Sequence, residues 1–260
     1  MISSVHNPKV QWVKALQKEA SLRREERSLV VEGVRLAEEA LAAGWEIRLA
    51  WYTADLDARG IRIVHRLQQD SQPVEEVSPR VLQAVSDTET PQGILLVVKI
   101  PEQKHADRLD LVFLPDQIRD PGNLGTMLRT AAAAGVDLLL LPPNTVDVTS
   151  PKVVRAAMGA HFRLPWRQCS WHEIQELVIQ QGLEVFLADV EGGIPYAQAD
   201  FRESLLLIIG SEAEGASAVA REIAQQSVYI PMPGRIESLN AAVAAGILLF
   251  EIVRQRGMIK

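Results

Sequence analysis

The stretch VYIPMPGRIESLNAAVAAGILLFEIVRQ, residues 228–255, reads as a short apolar strand, a Pro/Gly loop and an alanine-rich helix. The strand is expected over 228–232, with Ile230 to Met232 closing it. Pro233-Gly234 then turn the chain, and Ser238 stands where a helix cap belongs. A cap explains Ser238 completely. It does not explain Asn240, a poor helix former two residues on in an otherwise Ala/Leu segment. Two earlier stretches share this strand, polar loop and helix order: FLPDQIRDPGNLGTMLRTAAAAG (113–135) and LLLIIGSEAEGAS (205–217).

In the first of these, Pro121 suits the start of a helix and Gly135 its end. Gly122, Gly125 and Arg129 are spaced i, i+3, i+7 and share a face, where two bare positions admit a close neighbour beside a guanidinium. Asn123 lies near the helix N-terminus, where its amide can cap or reach a ligand. In the second, Leu205 to Ile209 form a buried strand ending at Gly210, which lets the chain turn sharply and a ligand press on the backbone. Glu212 follows at the crest of the turn. Ligands of parallel α/β sheets bind off such strand ends. The spacing G-x-x-x-x-G lacks the Lys-Ser/Thr of a phosphate-binding loop, and no G-x-G-x-x-G marks a nicotinamide site.

The segment TVDVTSPKVVRAAMGAHFRLP (145–165) has Ser150 as an N-cap and Pro151 at the first helical position, with Lys152, Arg155 and Gly159 on one face. Phosphate contact and a capped surface helix both fit it.

Strands expected at 111–115, 137–141, 184–188, 205–209 and 228–232 alternate with helices, which implies a parallel sheet buried on both faces. Ahead of them, helices near 9–20, 33–43 and 58–69, an apolar stretch at 29–31 and strands at 47–52 and 94–100 make a separate α/β module. PEQKHADRLD (101–110) reads as a linker, so two domains are expected, 1–100 and 111–260. Gly33, between a strand and a helix, reads as a turn residue.

The 260 residues are 47% hydrophobic and 23% charged, an ordinary globular composition with no apolar run long enough for a membrane span. The N-terminus lacks the apolar core of a signal peptide, and Cys169 stands alone, which points to the cytoplasm. The five histidines (6, 65, 105, 161 and 172) are scattered and do not form a zinc-ligand set with Cys169, so no metal site is read. A net charge of −6 argues against a general nucleic-acid coat protein. Residues 1–35 nevertheless carry seven basic against four acidic side chains, either a phosphate-contacting patch or a solvated face.

The three motifs, in this order, resemble those of the SpoU/TrmH family of RNA ribose 2′-O-methyltransferases, within the SPOUT superfamily. HNPKVQWVKAL (6–16) with LVVEGVRLAEEAL (29–41) is similar to the substrate-binding domain commonly fused to it. The resemblance implies an N-terminal α/β RNA-binding domain and a C-terminal parallel-sheet methyltransferase domain with a trefoil knot, working as a homodimer through its C-terminal region. It implies S-adenosylmethionine as cofactor, held around Ile209, Gly210, Ile230, Met232, Ser238 and Leu239. Arg129 takes the part of the catalytic arginine, with Asn123, Glu212, Ser238 and Asn240 organising the site. Arg23, Arg24, Arg27, Lys152 and Arg155 are the expected RNA contacts, and ribosomal RNA is favoured over transfer RNA because of the extra domain. Where the family usually has Gly, this chain has Ala213, which could narrow the loop's conformations. Competing readings are a transfer-RNA enzyme, a SPOUT enzyme acting on a base, a non-catalytic RNA-binding protein that keeps the fold, and a small-molecule nucleotide enzyme.

Overall fold

The computed structural model describes residues 1–190, 192–234 and 236–257. Helix α1 (Pro8–Lys18) starts where the Asn7 side chain accepts from the Lys9 amide and Pro8 needs no partner. After α2 (Ala20–Glu25) come β1 (Ser28–Glu32), α3 (Val34–Ala42), β2 (Ile47–Tyr52) and α4 (Ala58–Gln69), the last capped by Asp57. Between β1 and α3, Gly33 turns the chain at φ 97°, a value that favours glycine. Then follow β3 (Val74–Glu76), α5 (Pro79–Val85), β4 (Ile94–Lys99), β5 (Leu111–Pro115), α6 (Pro121–Ala134), β6 (Leu138–Leu141) and α7 (Pro151–Ala157). The chain continues through β7 (Trp166–Gln168), α8 (Trp171–Gln181), β8 (Glu184–Ala188), β9 (Ile194–Pro195), β10 (Leu205–Ile209), α9 (Ala218–Ile223), β11 (Gln226–Tyr229) and α10 (Ala241–Gln255).

Two compact units result: residues 1–102 with 147–162, and 103–146 with 163–257 of the described chain. Segment 147–162 therefore groups with the N-terminal residues, although it is contiguous in sequence with the second unit. The first unit is built on a sheet of order β1-β4-β2-β3, antiparallel except for the β2–β3 pair. Its core gathers Val10, Val13, Leu16, Trp51, Val81 and Leu95.

The second unit is a seven-stranded sheet of order β7-β6-β5-β10-β8-β11-β9, parallel throughout, as its unbroken apolar strands led us to expect. All five residues of β5 and of β10 are buried, because helices cover both faces. Phe186 and Phe201 meet edge to face at 4.9 Å in this core. Helix α10 packs along α6, and its Ala241, Ala242 and Ala245 are buried.

The last strand lies earlier in the chain than the sequence expectation of 228–232. Strand β11 ends at Tyr229, so Ile230 to Met232 belong to the loop after it. Its neighbour β8 ends at Ala188, paired with Val228, and the imides Pro231 and Pro233 have no N–H to extend a ladder.

Candidate active site

The register of the parallel sheet puts Pro115, Ile209 and Ala188 side by side at the carboxyl ends of β5, β10 and β8. The loops that leave these ends surround a cleft of about 330 Å³, the usual place for a ligand in an open α/β sheet. Ile209, Gly210, Ile230, Met232, Ser238 and Leu239 all line it. Gly210 has no room for a side chain: a Cβ there would lie 2.4 Å from the Ala216 amide nitrogen and from the Gly215 carbonyl carbon. Ser211 and Gly215 exchange both backbone hydrogen bonds at 3.0 Å, closing the loop on itself. Ala213 also lines the cleft and lies outside the left-handed region, so its methyl group imposes no backbone strain.

The three sequence motifs converge on one carboxyl oxygen. Glu212 Oε1 accepts from Asn123 Nδ2 at 2.8 Å, from Asn240 Nδ2 at 2.9 Å and from the Ala241 amide at 2.9 Å. Asn240 Nδ2 also donates to Asn123 Oδ1 at 3.0 Å. Asn123 is held in turn by its own backbone, whose amide donates to the helix cap Asp120 at 2.8 Å.

The cap of α10 is Asn240, and not Ser238 as expected. Asn240 Oδ1 accepts from the amides of Ala242 and Val243. A Ser238 cap would have served the Ala241 amide three residues on, and that amide is already given to Glu212. Ser238 is thereby left exposed on the wall of the cleft, free to meet a ligand.

Arg129 is exposed on α6 and makes no hydrogen bond or ion pair with the described residues. Seven residues before it, Gly122 is exposed too, but the space its missing side chain leaves is taken up by the helix's own cap: a Cβ would sit 3.0 Å from Asp120 Oδ1. Gly125 is buried, so the expected stripe of two glycines and an arginine is split between surface and interior.

The expected RNA contacts, all in the first unit, divide more sharply. Arg23 is 3% exposed, and its guanidinium donates to Leu16 O at 2.7 Å, Thr149 Oγ1 at 3.1 Å and Asp147 Oδ2 at 2.5 Å. It is committed to the fold and not to a partner, which corrects that expectation. Arg155 pairs with Asp87 at 2.6 Å. Arg24, Arg27 and Lys152 are exposed, with side chains that bond to no described residue.

Sequence reading missed Asp189 and Arg221, an ion pair on the wall of the cleft. Asp189 directly follows β8, and the rule that placed Gly210 at a strand's carboxyl end applies equally there. Cys169 is buried, and burial pushes its thiol above the usual range, away from nucleophilic character.

Residues 110–250 match the SpoU rRNA Methylase family, and residues 7–96 match the MRM3-like substrate binding domain. The chain belongs to the SpoU rRNA methylase family. Among SpoU relatives, it is 35% identical to the 23S rRNA (guanosine(2553)-2′-O)-methyltransferase of Bacillus subtilis, over 96% of this chain and 98% of the relative. It is 32% identical to the 23S rRNA (uridine(2479)-2′-O)-methyltransferase of Streptomyces viridochromogenes, over 96% of this chain and 91% of the relative. The SpoU methyltransferase AviRb from that organism, solved in complex with the cofactor AdoMet, superimposes with a TM-score of 0.86 at 29% identity, over 97% of this chain and 100% of that one.

Proposed function

We propose that this protein transfers a methyl group from S-adenosylmethionine to a ribose 2′-hydroxyl of ribosomal RNA, as a cytoplasmic homodimer. The observation that carries the reading is the single oxygen of Glu212 that binds Asn123 and Asn240 together beside a cleft of ligand size. The cleft suits the cofactor: Ile209, Ile230, Met232 and Leu239 offer apolar walls, and Gly210 lets the loop backbone fold tightly against its own Gly215 and Ala216 at the cleft's edge. Both relatives named above act on 23S rRNA, which favours ribosomal over transfer RNA. RNA recognition is assigned to residues 1–100, with 101–110 as linker and 111–260 as the methyltransferase domain that carries the family's knot. Lys152 and Arg155, on the segment that groups with the first unit, join Arg24 and Arg27 as its phosphate contacts.

S-adenosylmethionine, when bound, supplies an electrophilic methyl carbon on a sulfonium. The chain's own work is then to position, exclude water and manage a proton. The Glu212–Asn123–Asn240 cluster fixes where α6, the cofactor loop and α10 meet. Arg129, exposed and without a described partner, has five donors to present to an RNA phosphate beside the target ribose. A guanidinium stays protonated at any working pH and cannot serve as the base. Its role is to clamp the phosphate and favour the ionised hydroxyl, with the proton passing to phosphate or water.

Transfer of labelled methyl to separated ribosomal and transfer RNA tests this reading, with Arg129→Ala as control. Label recovered as 2′-O-methylribose in the ribosomal fraction, and reduced at least about a hundredfold in the variant, is the expected result. Label in transfer RNA alone moves the substrate assignment. Turnover by Arg129→Lys near the parent level removes the need for a bidentate clamp.

A further inference from the structure

The cofactor loop is held from outside by a short segment that none of the three motif readings used. Residues 116–119, between β5 and α6, reach it at two places beyond Glu212. Asp116 is 0% exposed; its amide donates to Ile209 O at 2.8 Å, and its Oδ2 accepts from the Ser217 amide at 2.7 Å. Its other oxygen, Oδ1, has no hydrogen-bond partner among the described residues. Gln117 sits at φ 56°, in the left-handed region. With its amide turned to satisfy both neighbours, it donates to Glu214 Oε2 at 2.9 Å and accepts from Ser217 N at 3.2 Å. Arg119 Nη2 pairs with the same Glu214 oxygen at 3.0 Å.

Fold stability is a poor account of these groups. A buried carboxyl with one oxygen unmet is costly, and an exposed Arg–Glu pair contributes little. A left-handed non-glycine residue adds strain, of the kind that gathers at functional sites. What the three side chains share is the loop between Ser211 and Ser217, whose far end is the cap of α9.

We propose that Asp116, Gln117 and Arg119 are positioning residues that hold loop 211–217 in its cofactor-binding shape before the cofactor arrives. The inference rests on reading the cleft as the cofactor site. A loop fixed in advance loses less freedom on binding, so breaking the tethers weakens cofactor affinity without touching the cofactor. The same segment runs directly into α6, so the loop and the helix bearing Arg129 are set by one piece of chain.

Calorimetric titration of the full chain with S-adenosylhomocysteine, beside the ligand-free thermal midpoint, tests the tether. Gln117→Gly is the discriminating variant. Glycine adopts the left-handed conformation freely, so the midpoint should hold or rise while Kd weakens about threefold or more. Asp116→Ala should weaken Kd about tenfold, and Asp116→Asn, which keeps an oxygen for the Ser217 amide, should recover to within about threefold of the parent. In turnover, these losses should fall on the KM for cofactor and leave kcat at saturating cofactor largely intact. Binding by Gln117→Gly within about twofold of the parent would overturn the proposal, as would an Asn variant no better than Ala. Should Asp116→Ala fail to fold, Gln117→Gly and Arg119→Ala decide. A parent protein that binds no S-adenosylhomocysteine sinks the reading of the cleft itself, and the tether with it.

Discussion

Asn240 does two jobs with one amide. Its oxygen caps α10, and its nitrogen joins Asn123 and Glu212. The two jobs separate by substitution. Asn240→Ala should lose about 1 kcal/mol of stability from the missing cap and most of the methyl transfer. Asn240→Ser retains a capping oxygen but loses the amide nitrogen that donates to Glu212 and Asn123, and once its hydroxyl caps the helix its shorter side chain cannot replace both bonds. It should recover the denaturation midpoint and not the turnover; recovery of both would show the nitrogen's bonds to be idle. The sequence marked Asn240 as an anomaly yet pointed to Ser238 as the cap, since either residue type caps well. The choice rests on the Ala241 amide, which Glu212 takes from 29 positions earlier in the chain. No local pattern carries that information.

At the scale of elements, the two faces of α10 divide the labour. The alanine face, with Ala241, Ala242 and Ala245 buried, is spent inside the chain, where α10 packs along α6. The face that remains carries Val243 and Phe250, seven residues apart and each about half exposed, at 51% and 50%. Two large apolar side chains on one helical stripe suit a second copy of the chain better than water does. Phe250→Glu should shift the protein from dimer to monomer in analytical ultracentrifugation while leaving its circular dichroism unchanged. A monomeric parent would end the dimer assignment. Long elements were read well: the strands at 47–52, 111–115, 184–188 and 205–209 and the helix at 58–69 stand where periodicity put them. Strands β3 and β9, of three and two residues, were not foreseen. Both lie at sheet edges, where pairing with a neighbour and not hydrophobic pattern defines a strand.

At the scale of the molecule, charge was harder to read than fold, because a basic residue looks the same in sequence whether it meets RNA or a buried acid. Arg23 is separated from Asp147 by 124 positions and bound to it within the first unit. Removing one member of a buried pair strands the other, so Arg23→Ala should cost about 3 kcal/mol in chemical denaturation. Arg24→Ala should leave stability unchanged and lower the salt slope of RNA binding by about one. The same unit hides a pH dependence in His161. Its Nε2 lies 2.7 Å from the Val148 carbonyl, which can only accept, so that nitrogen carries the neutral ring's proton. Complete burial disfavours the cation and pulls the ring from its usual 6.5 to about 4, against a smaller upward pull from the Val148 hydrogen bond. Between those values the unfolded chain binds a proton that the folded chain refuses. Stability from this group is therefore whole above pH 6.5 and drains away as the pH falls toward about 4, a loss on the order of 3 kcal/mol. Urea denaturation of the parent across that window should show the fall. His161→Gln, less stable at neutral pH, should lack this part of the slope; an unchanged slope in the variant would assign the acid sensitivity to other groups.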